Sequence, residues 1–174
     1  RDGGTFELNE LFQEEFNNNK IEEIFIEKKF KIGDRVIQMK NNYDLKVFNG
    51  FIGTILNIYE EDGKRFVVVD FDNQTSIIEY NEVQVQELEL AYAITVHKSQ
   101  GSEYPIVIMP IHKSQSLMLT SKILYTALTR AKKEFYCIGE EAAINKAIHE
   151  KNKNKRNYRL SRLASKIKKA MFVY

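Results

Sequence analysis

Near the amino terminus apolar residues recur at helical steps: Phe6, Leu8, Leu11, Phe12 and Phe16 fall on one side of a helical repeat. The pattern predicts an amphipathic helix that packs through its apolar face, is capped by Thr5 and stops in the asparagine run at 17–19. From Phe30 the period shortens. The runs "RVIQMK", "FIGTILNIY", "RFVVVDFD" and "TSIIEY" are short and rich in β-branched or aromatic residues, with turn signals at Asn49-Gly50, Asp62-Gly63 and Asp72-Asn73 between them. Several strands packed this closely, over about 60 residues, suggest a small barrel rather than crossover units.

Beyond residue 87 the pattern changes again. "AYAITV" and "PIVIMPI" read as buried strands, "SKILYTALTRAKK" as a helix, "EFYCIG" as a further strand and "EEAAINKAIHE" as a helix. Alternating strand and helix is the signature of a parallel sheet. In the last stretch Leu160, Leu163, Ile167 and Met171 line one side of an otherwise Lys/Arg-rich segment, which predicts a basic amphipathic helix.

Charge sharpens this division. Residues 1–90 hold 10 Lys+Arg against 19 Asp+Glu, and residues 91–174 hold 16 against 5, so a formal net charge of +2 conceals an acidic half and a basic half. Clustered Lys and Arg are one footprint of a polyanion-binding face, because they displace counterions from a phosphate backbone; a solvated basic helix is the plainer explanation. With one cysteine, Cys137, neither a disulfide framework nor a Cys-rich metal site is available, and a reducing cytoplasmic compartment is expected. The longest apolar run, "PIVIMPI", is far shorter than the roughly 20 residues that span a bilayer. The opening "RDGGTFELNE" lacks an initiator methionine and looks like a cut rather than a start, so a fragment of a longer protein is expected.

Two stretches concentrate chemistry. "TVHKSQGSE", Thr95 to Glu103, gathers short-range donors and acceptors around one glycine after the run "AYAITV"; ligands on open α/β sheets bind outside the carboxyl ends of strands. In "TSKILYTALTRAKK" the residues Ile123, Leu124, Ala127, Leu128 and Ala131 make an apolar stripe, and helical spacing would put Thr126, Thr129, Arg130 and Lys133 on the opposite face. An arginine beside hydroxyls on a rigid helix suits a phosphate, through its planar fork of donors.

Taken together and in this order, "AYAITVHKSQGSE" and "LYTALTRAKK" resemble the last motifs of superfamily 1 helicases of the RecD/TraA type, subfamily 1B. "FKIGDRVIQMKNNYDLKVFNGFIGTI" resembles the small Src-homology-3-like barrel that this family inserts ahead of them, and "LNELFQEEFN" the helix before it; the basic terminal helix also has a family counterpart. The resemblance implies an α/β fold: a RecA-like parallel-sheet helicase domain, the second of two motor domains, with the barrel inserted. Residues 1–29 would be its amino-terminal helix and start, 30–88 the barrel and 89–174 the remainder with the basic helix. Such motors clamp ATP with Mg2+ between two RecA-like domains and move 5′ to 3′ along single-stranded DNA. By resemblance, Gly101 and Glu103 would face the nucleotide, with the carboxylate accepting from ribose hydroxyls. Thr95, His97, Lys98, Ser99 and Gln100 would lie toward DNA or couple it to the nucleotide. Arg130 would be the arginine finger, and Tyr125 and Thr126 would orient its helix or touch the nucleotide. Implied partners are single-stranded DNA, the amino-terminal motor domain of the same protein and RecBC-like subunits, as in an exodeoxyribonuclease V alpha subunit.

Tyr43, Phe48, Phe51 and Arg35 could supply stacking and phosphate contacts from the barrel, although aromatic residues in a barrel are more often core. The family often carries an acidic residue after "FNG", where this chain has Phe51. A P-loop needs G-x-x-x-x-G-K-[ST]; the one Gly-Lys pair, Gly63-Lys64, continues with Arg65 and has no glycine five residues earlier. No motor can grip ATP with this chain alone, so neither hydrolysis nor unwinding is expected of it. His97, His112 and His149 have no metal-ligand spacing, and no carboxylate cluster suggests a nuclease. Two other readings stay open: a non-enzymatic module that binds nucleic acid or protein, and a piece of a TraA-like relaxase-helicase.

Overall fold

The computed structural model describes residues 4–17, 23–25, 28–72, 74–112 and 119–149. The expected basic helix over the last 24 residues and the Asn73 half of one turn signal lie outside the described residues. The chain divides into two compact units, Arg1–Thr95 and Val96–Tyr174.

The first unit opens with helix α1, Thr5–Phe16. Thr5 is its first turn rather than its cap: Gly4 holds the cap position, and no side chain closes the end. The residues that pack most deeply are not the expected ones. Asn9 and Gln13 are buried and Leu8 and Phe12 half-buried, whereas Phe6, Leu11 and Phe16 are exposed. Asn9, Gln13 and the C-cap Asn17 recur every four residues, and each finds specific partners in the body of the unit, so hydrogen bonding decides which face turns inward. A short antiparallel hairpin, β1 (Glu23–Phe25) with β2 (Lys28–Phe30), follows where the sequence pattern gives no clear period.

The four runs read as strands form as expected: β3 (Arg35–Gln38), β4 (Ile52–Glu61), β5 (Lys64–Phe71) and β6 (Ile78–Asn81). A 3-10 turn at Gln84–Glu87 leads to β7 (Leu88–Leu90), and the antiparallel sheet has the order β6-β5-β4-β3-β7. The β4–β5 hairpin turns at Asp62-Gly63, with φ of 51° and 70°, the paired positive values of the tight turn whose twist matches that of the strands. Edge strands β6 and β7 place Tyr80 and Leu88 in the same core as Val36, Ile55, Val67, Val69 and Phe71, so the sheet is rolled around one apolar centre. The Tyr80 hydroxyl donates to Gln38 Oε1 (2.9 Å), and Gln38 Nε2 donates to Glu87 Oε2 (2.8 Å), which satisfies a buried polar row at the β3 side. Burial, then the Glu87 charge, pushes the Tyr80 hydroxyl pKa upward.

In the second unit β8 (Tyr104–Ile111) pairs in parallel with β9 (Ala131–Gly139), and α2 (Ser121–Leu128) and α3 (Glu141–His149) accompany them. Val107, Met109 and Ile111 of β8 join Phe135, Cys137, Leu124, Ala127 and Ile144 in a second core. The alternate residues Ile106 and Ile108 are 51% and 62% exposed. Two sequence expectations are corrected. "AYAITV" is not a strand: Leu88–Leu90 pairs with β3, Ala91 N still donates to Arg35 O of β3 (2.7 Å), and residues 92–95 belong to no strand. Helix α2 ends at Leu128, because Ala131 already pairs with Tyr104 and the chain must turn within two residues to enter β9.

Candidate nucleotide and nucleic-acid site

The segment from Val96 to Glu103 is a succession of turns. The Ser99 hydroxyl donates to Val96 O (2.8 Å), Gln100 N to His97 O (3.2 Å) and Ser102 N to Ser99 O (3.1 Å). Ser99 is thereby buried, its hydroxyl committed to the turn, while His97, Gln100 and Glu103 project from it exposed and Lys98 is half-buried. Gly101 has φ +89°, with open space where a Cβ would stand. Such tightly wound loops present backbone N–H groups and short polar side chains at fixed positions, as phosphate and sugar recognition requires.

This loop enters β8 instead of leaving a strand, so the expected location at a carboxyl strand end is replaced by one at the amino ends of β8 and β9. The start of β9 lies beside it. Tyr104 N donates to Arg130 O (2.8 Å), and the Arg130 guanidinium reaches back, Nη1 to Ser102 O (3.1 Å) and Nη2 to Thr129 Oγ1 (3.3 Å). Glu103 pairs with Lys132 at 3.2 Å, each side chain 59% exposed. The end of the first motif and the arginine of the second are therefore joined within one unit. Ser102, Tyr104 and Lys132, which bring this about, carried no signal in the sequence, because only the β8–β9 register puts them side by side.

Arg130 does not share a helical face with Thr126, Thr129 and Lys133 as the spacing suggested. It occupies the turn after α2, where the Thr129 N–H caps the helix by donating to Tyr125 O (3.0 Å). Thr126 Oγ1 donates to Lys122 O (2.9 Å), one turn back along its own helix, and Thr129 Oγ1 donates to Thr126 O (2.8 Å). Thr126 thus braces the helix, and Tyr125 is 44% exposed. Two polar side-chain atoms at this corner, Arg130 Nε and Tyr104 Oη, are buried with no hydrogen-bond partner among the described residues. A buried donor without an acceptor is costly, and a catalytic role or a bound ion is among the reasons a protein keeps one. A guanidinium with an unused N–H fits a phosphate oxygen.

The barrel residues separate into two kinds. Arg35 is engaged: Nη2 and Nη1 grip the Asp72 carboxylate at 2.5 and 2.9 Å, and Nη1 also meets Thr54 Oγ1 at 2.7 Å. Phe51 packs against the core. Tyr43 and Phe48, 74% and 41% exposed, meet edge to face at 6.1 Å and remain presented. No described helix is long and apolar enough to cross a membrane.

Residues 8–71 match the family described as the ATP-dependent RecD-like DNA helicase SH3 domain, and residues 90–138 match the UvrD-like helicase C-terminal domain. The ATP-dependent RecD2 DNA helicase of Deinococcus radiodurans is 36% identical over 140 residues, which is 80% of this chain and 19% of that protein. The RecBCD enzyme subunit RecD of Mycolicibacterium smegmatis is 32% identical over 117 residues, 67% of this chain and 20% of that one. The chain thus spans about a fifth of the length of these curated relatives. Among solved structures, Pif1 helicase from Bacteroides in complex with ADP-AlF3 and ssDNA superposes with a TM-score of 0.56 at 17% identity, covering 95% of this chain and 44% of that one. A Pif1 helicase from a study of unwinding at forked DNA gives 0.56 at 21% identity, over 82% and 41%. These two likenesses establish the RecA-like helicase fold.

Proposed function

The chain belongs to the RecD-like DNA helicases, and on that premise we propose that it is the carboxyl-terminal motor region of an ATP-dependent DNA helicase, with Arg130 as its arginine finger. Residues 1–29 and 89–174 form the second RecA-like domain in this reading, and 30–88 the inserted barrel. The observation that carries it is the corner at which Arg130 is tied to Ser102 while its Nε stays buried without an acceptor among the described residues. A γ-phosphate oxygen of ATP, delivered by the first motor domain together with Mg2+, is the acceptor that such a donor suits. ATP, when bound, supplies a phosphoryl group for transfer to water. Arg130 donates to the charge that develops on it, an effect worth about 10³–10⁵ in rate in characterised NTPases. Glu103, whose pair with Lys132 is exposed and readily exchanged, turns to the ribose hydroxyls, and Gly101 lets the backbone approach the nucleotide.

Thr95, His97, Lys98, Ser99 and Gln100 make up the DNA side. The Ser99 hydroxyl is spent on bracing the loop, so Lys98, His97 and Gln100 are the contacts to phosphate and sugar, and Thr95 leads into them. Because the same loop continues into Ser102, which Arg130 grips, a shift of the strand at Lys98 is felt at the finger. Movement in one direction follows when this coupling alternates with closure of the two motor domains; the direction itself, 5′ to 3′, rests on the family. Exposed Tyr43 and Phe48 add a stacking surface on the barrel. RecBC-like subunits are the assembly partners if the parent protein acts in a complex.

The test is ATP hydrolysis. The parent protein should hydrolyse ATP faster with single-stranded DNA, while residues 1–174 alone should show none. Turnover by the isolated chain would overturn the proposal; a parent protein without DNA-stimulated hydrolysis would overturn it in favour of a non-enzymatic nucleic-acid- or protein-binding module.

A further inference from the structure

Asp34 is completely buried. Its carboxylate accepts four hydrogen bonds: Oδ2 from Lys31 N (2.6 Å) and Gln13 Nε2 (2.5 Å), Oδ1 from Asn17 Nδ2 (2.8 Å) and the Tyr92 hydroxyl (2.9 Å). Four donors match the lone-pair capacity of an ionised carboxylate, the condition under which a buried charge is tolerated. The donors come from three places far apart in sequence. Gln13 and Asn17 belong to α1 and its cap, Lys31 to the turn before β3, and Tyr92 to the segment that follows β7. One turn back along α1, Asn9 pairs with the backbone of Ala93 in both directions, Nδ2 to Ala93 O (2.9 Å) and Ala93 N to Oδ1 (2.7 Å). Ala91 N adds a bond to Arg35 O (2.7 Å).

These bonds hold a stretch that lies beyond the strands, residues 92–95. Of the apolar residues of α1, Phe6, Leu11 and Phe16 are exposed and Leu8 and Phe12 half-buried, whereas Asn9 and Gln13 are buried. The most deeply buried contacts of the tie are therefore polar and directional. A greasy contact tolerates sliding, whereas a saturated carboxylate has one arrangement, and polar networks of this kind specify geometry. Burial first, then the Asp34 charge, raises the Tyr92 hydroxyl pKa to about 12, so Tyr92 stays a donor throughout the neutral pH range. Three residues further on the chain reaches Thr95 and the DNA-facing loop.

We propose that Asp34 with Tyr92, and Asn9 with Ala93, form a clasp that anchors the segment leading into the Thr95–Glu103 motif to the barrel and α1, making Tyr92 and Asn9 positioning residues for DNA engagement. The role rests on the function proposed above. Load taken up by the motif passes through the clasp into the barrel, and a barrel contact with the strand is felt at the motif by the same route.

Tyr92→Phe keeps the ring and removes one donor. Tyr59→Phe is the matched control, since the Tyr59 hydroxyl bonds Glu79 on the exposed face of the barrel, away from residues 91–93. In the parent protein, Tyr92→Phe should leave DNA-free ATP hydrolysis within about twofold of native and raise the DNA concentration for half-maximal stimulation roughly tenfold; Tyr59→Phe should change neither. A structural role alone would lower the unfolding temperature without moving the half-saturation point at temperatures where the fold is intact. If the two variants show the same DNA dependence, the clasp is wrong. If the native parent protein shows no DNA dependence, the proposed function fails instead. Amide exchange in residues 93–100 of the present chain then decides the clasp by itself: at least tenfold faster exchange in Tyr92→Phe but not in Tyr59→Phe supports it, and equal exchange refutes it.

Discussion

Replacing Arg130 by alanine separates what the residue does for the fold from the part in turnover proposed for it. On the folding side, two guanidinium bonds are lost, to Ser102 O at 3.1 Å and to Thr129 Oγ1 at 3.3 Å. Bonds from a charged donor contribute about 1.5–3 kcal/mol when short and buried; the second of these is long and exposed and falls well below that. Against the loss stands a gain, because Nε is a buried donor without a partner among the described residues, and removing such a group returns about 1–3 kcal/mol. The terms largely offset, so Arg130→Ala should shift stability by less than about 2 kcal/mol, read as the urea midpoint of the present chain. On the catalytic side, a finger worth about 10³–10⁵ in rate amounts to about 4–7 kcal/mol of transition-state stabilisation. In the parent protein, kcat for ATP at saturating single-stranded DNA should fall by at least a thousandfold, with nucleotide affinity changed far less. Arg130→Lys should recover little, since an ammonium cannot reproduce the fork. A kcat within tenfold of native in a folded Arg130→Ala variant would refute the assignment. So would a loss of activity that tracks unfolding.

Two further expectations concern the second unit. Gly139 has φ +145°, and a Cβ there would stand 1.8 Å from Ile111 O in the paired strand. Gly139→Ala should therefore destabilise by about 2–5 kcal/mol, the sum of backbone strain and forced strand separation. Gly101→Ala, with positive φ but open space, should cost only about 1 kcal/mol; equal urea shifts for the two would remove the steric argument. Burial raises the Cys137 thiol from 9.0 to about 11. The unfolded chain then releases this proton first, so the contribution is complete below about pH 9 and is lost as pH rises toward 11, at most about 2–3 kcal/mol. Urea midpoints between pH 8.5 and 10.5 should fall more steeply for the native chain than for Cys137→Ala, and parallel slopes would contradict it.

What could be read from the sequence was what local periodicity encodes. Strands β4 and β5 alternate over many residues and end at a turn whose Asp62-Gly63 pair names its own geometry, so the barrel was legible. The two motifs were legible because their residue types and order are specific. What depends on partners distant in the chain was not. The period of α1 is helical whichever side is buried, and the choice of Asn9 and Gln13 over Phe6 and Leu11 is made by Asp34 and Ala93. "RAKK" continues the helical spacing of "SKILYTALT" on paper, yet parallel pairing with β8 claims Ala131 for a strand. "AYAITV" has the composition of a buried strand, but the neighbouring position in the rolled sheet is already filled by Leu88–Leu90. The register that sets Glu103 beside Lys132 and Ser102 beside Arg130 is likewise invisible until the strands are paired.

The motor reading turns on whether the Thr95–Glu103 loop contacts the DNA backbone. Binding of single-stranded DNA by residues 1–174 across a salt series, with the native chain, Lys98→Ala and a form truncated after Glu150, addresses this directly. Affinity should fall as salt rises, because phosphate neutralisation releases counterions. Lys98→Ala should weaken binding about uniformly across sequences and reduce the salt slope by about one, even with the tail removed. If Lys98→Ala binds as tightly as the native chain, with the same slope, and all affinity vanishes with the tail, the loop is not a DNA contact and the motor reading loses its central support.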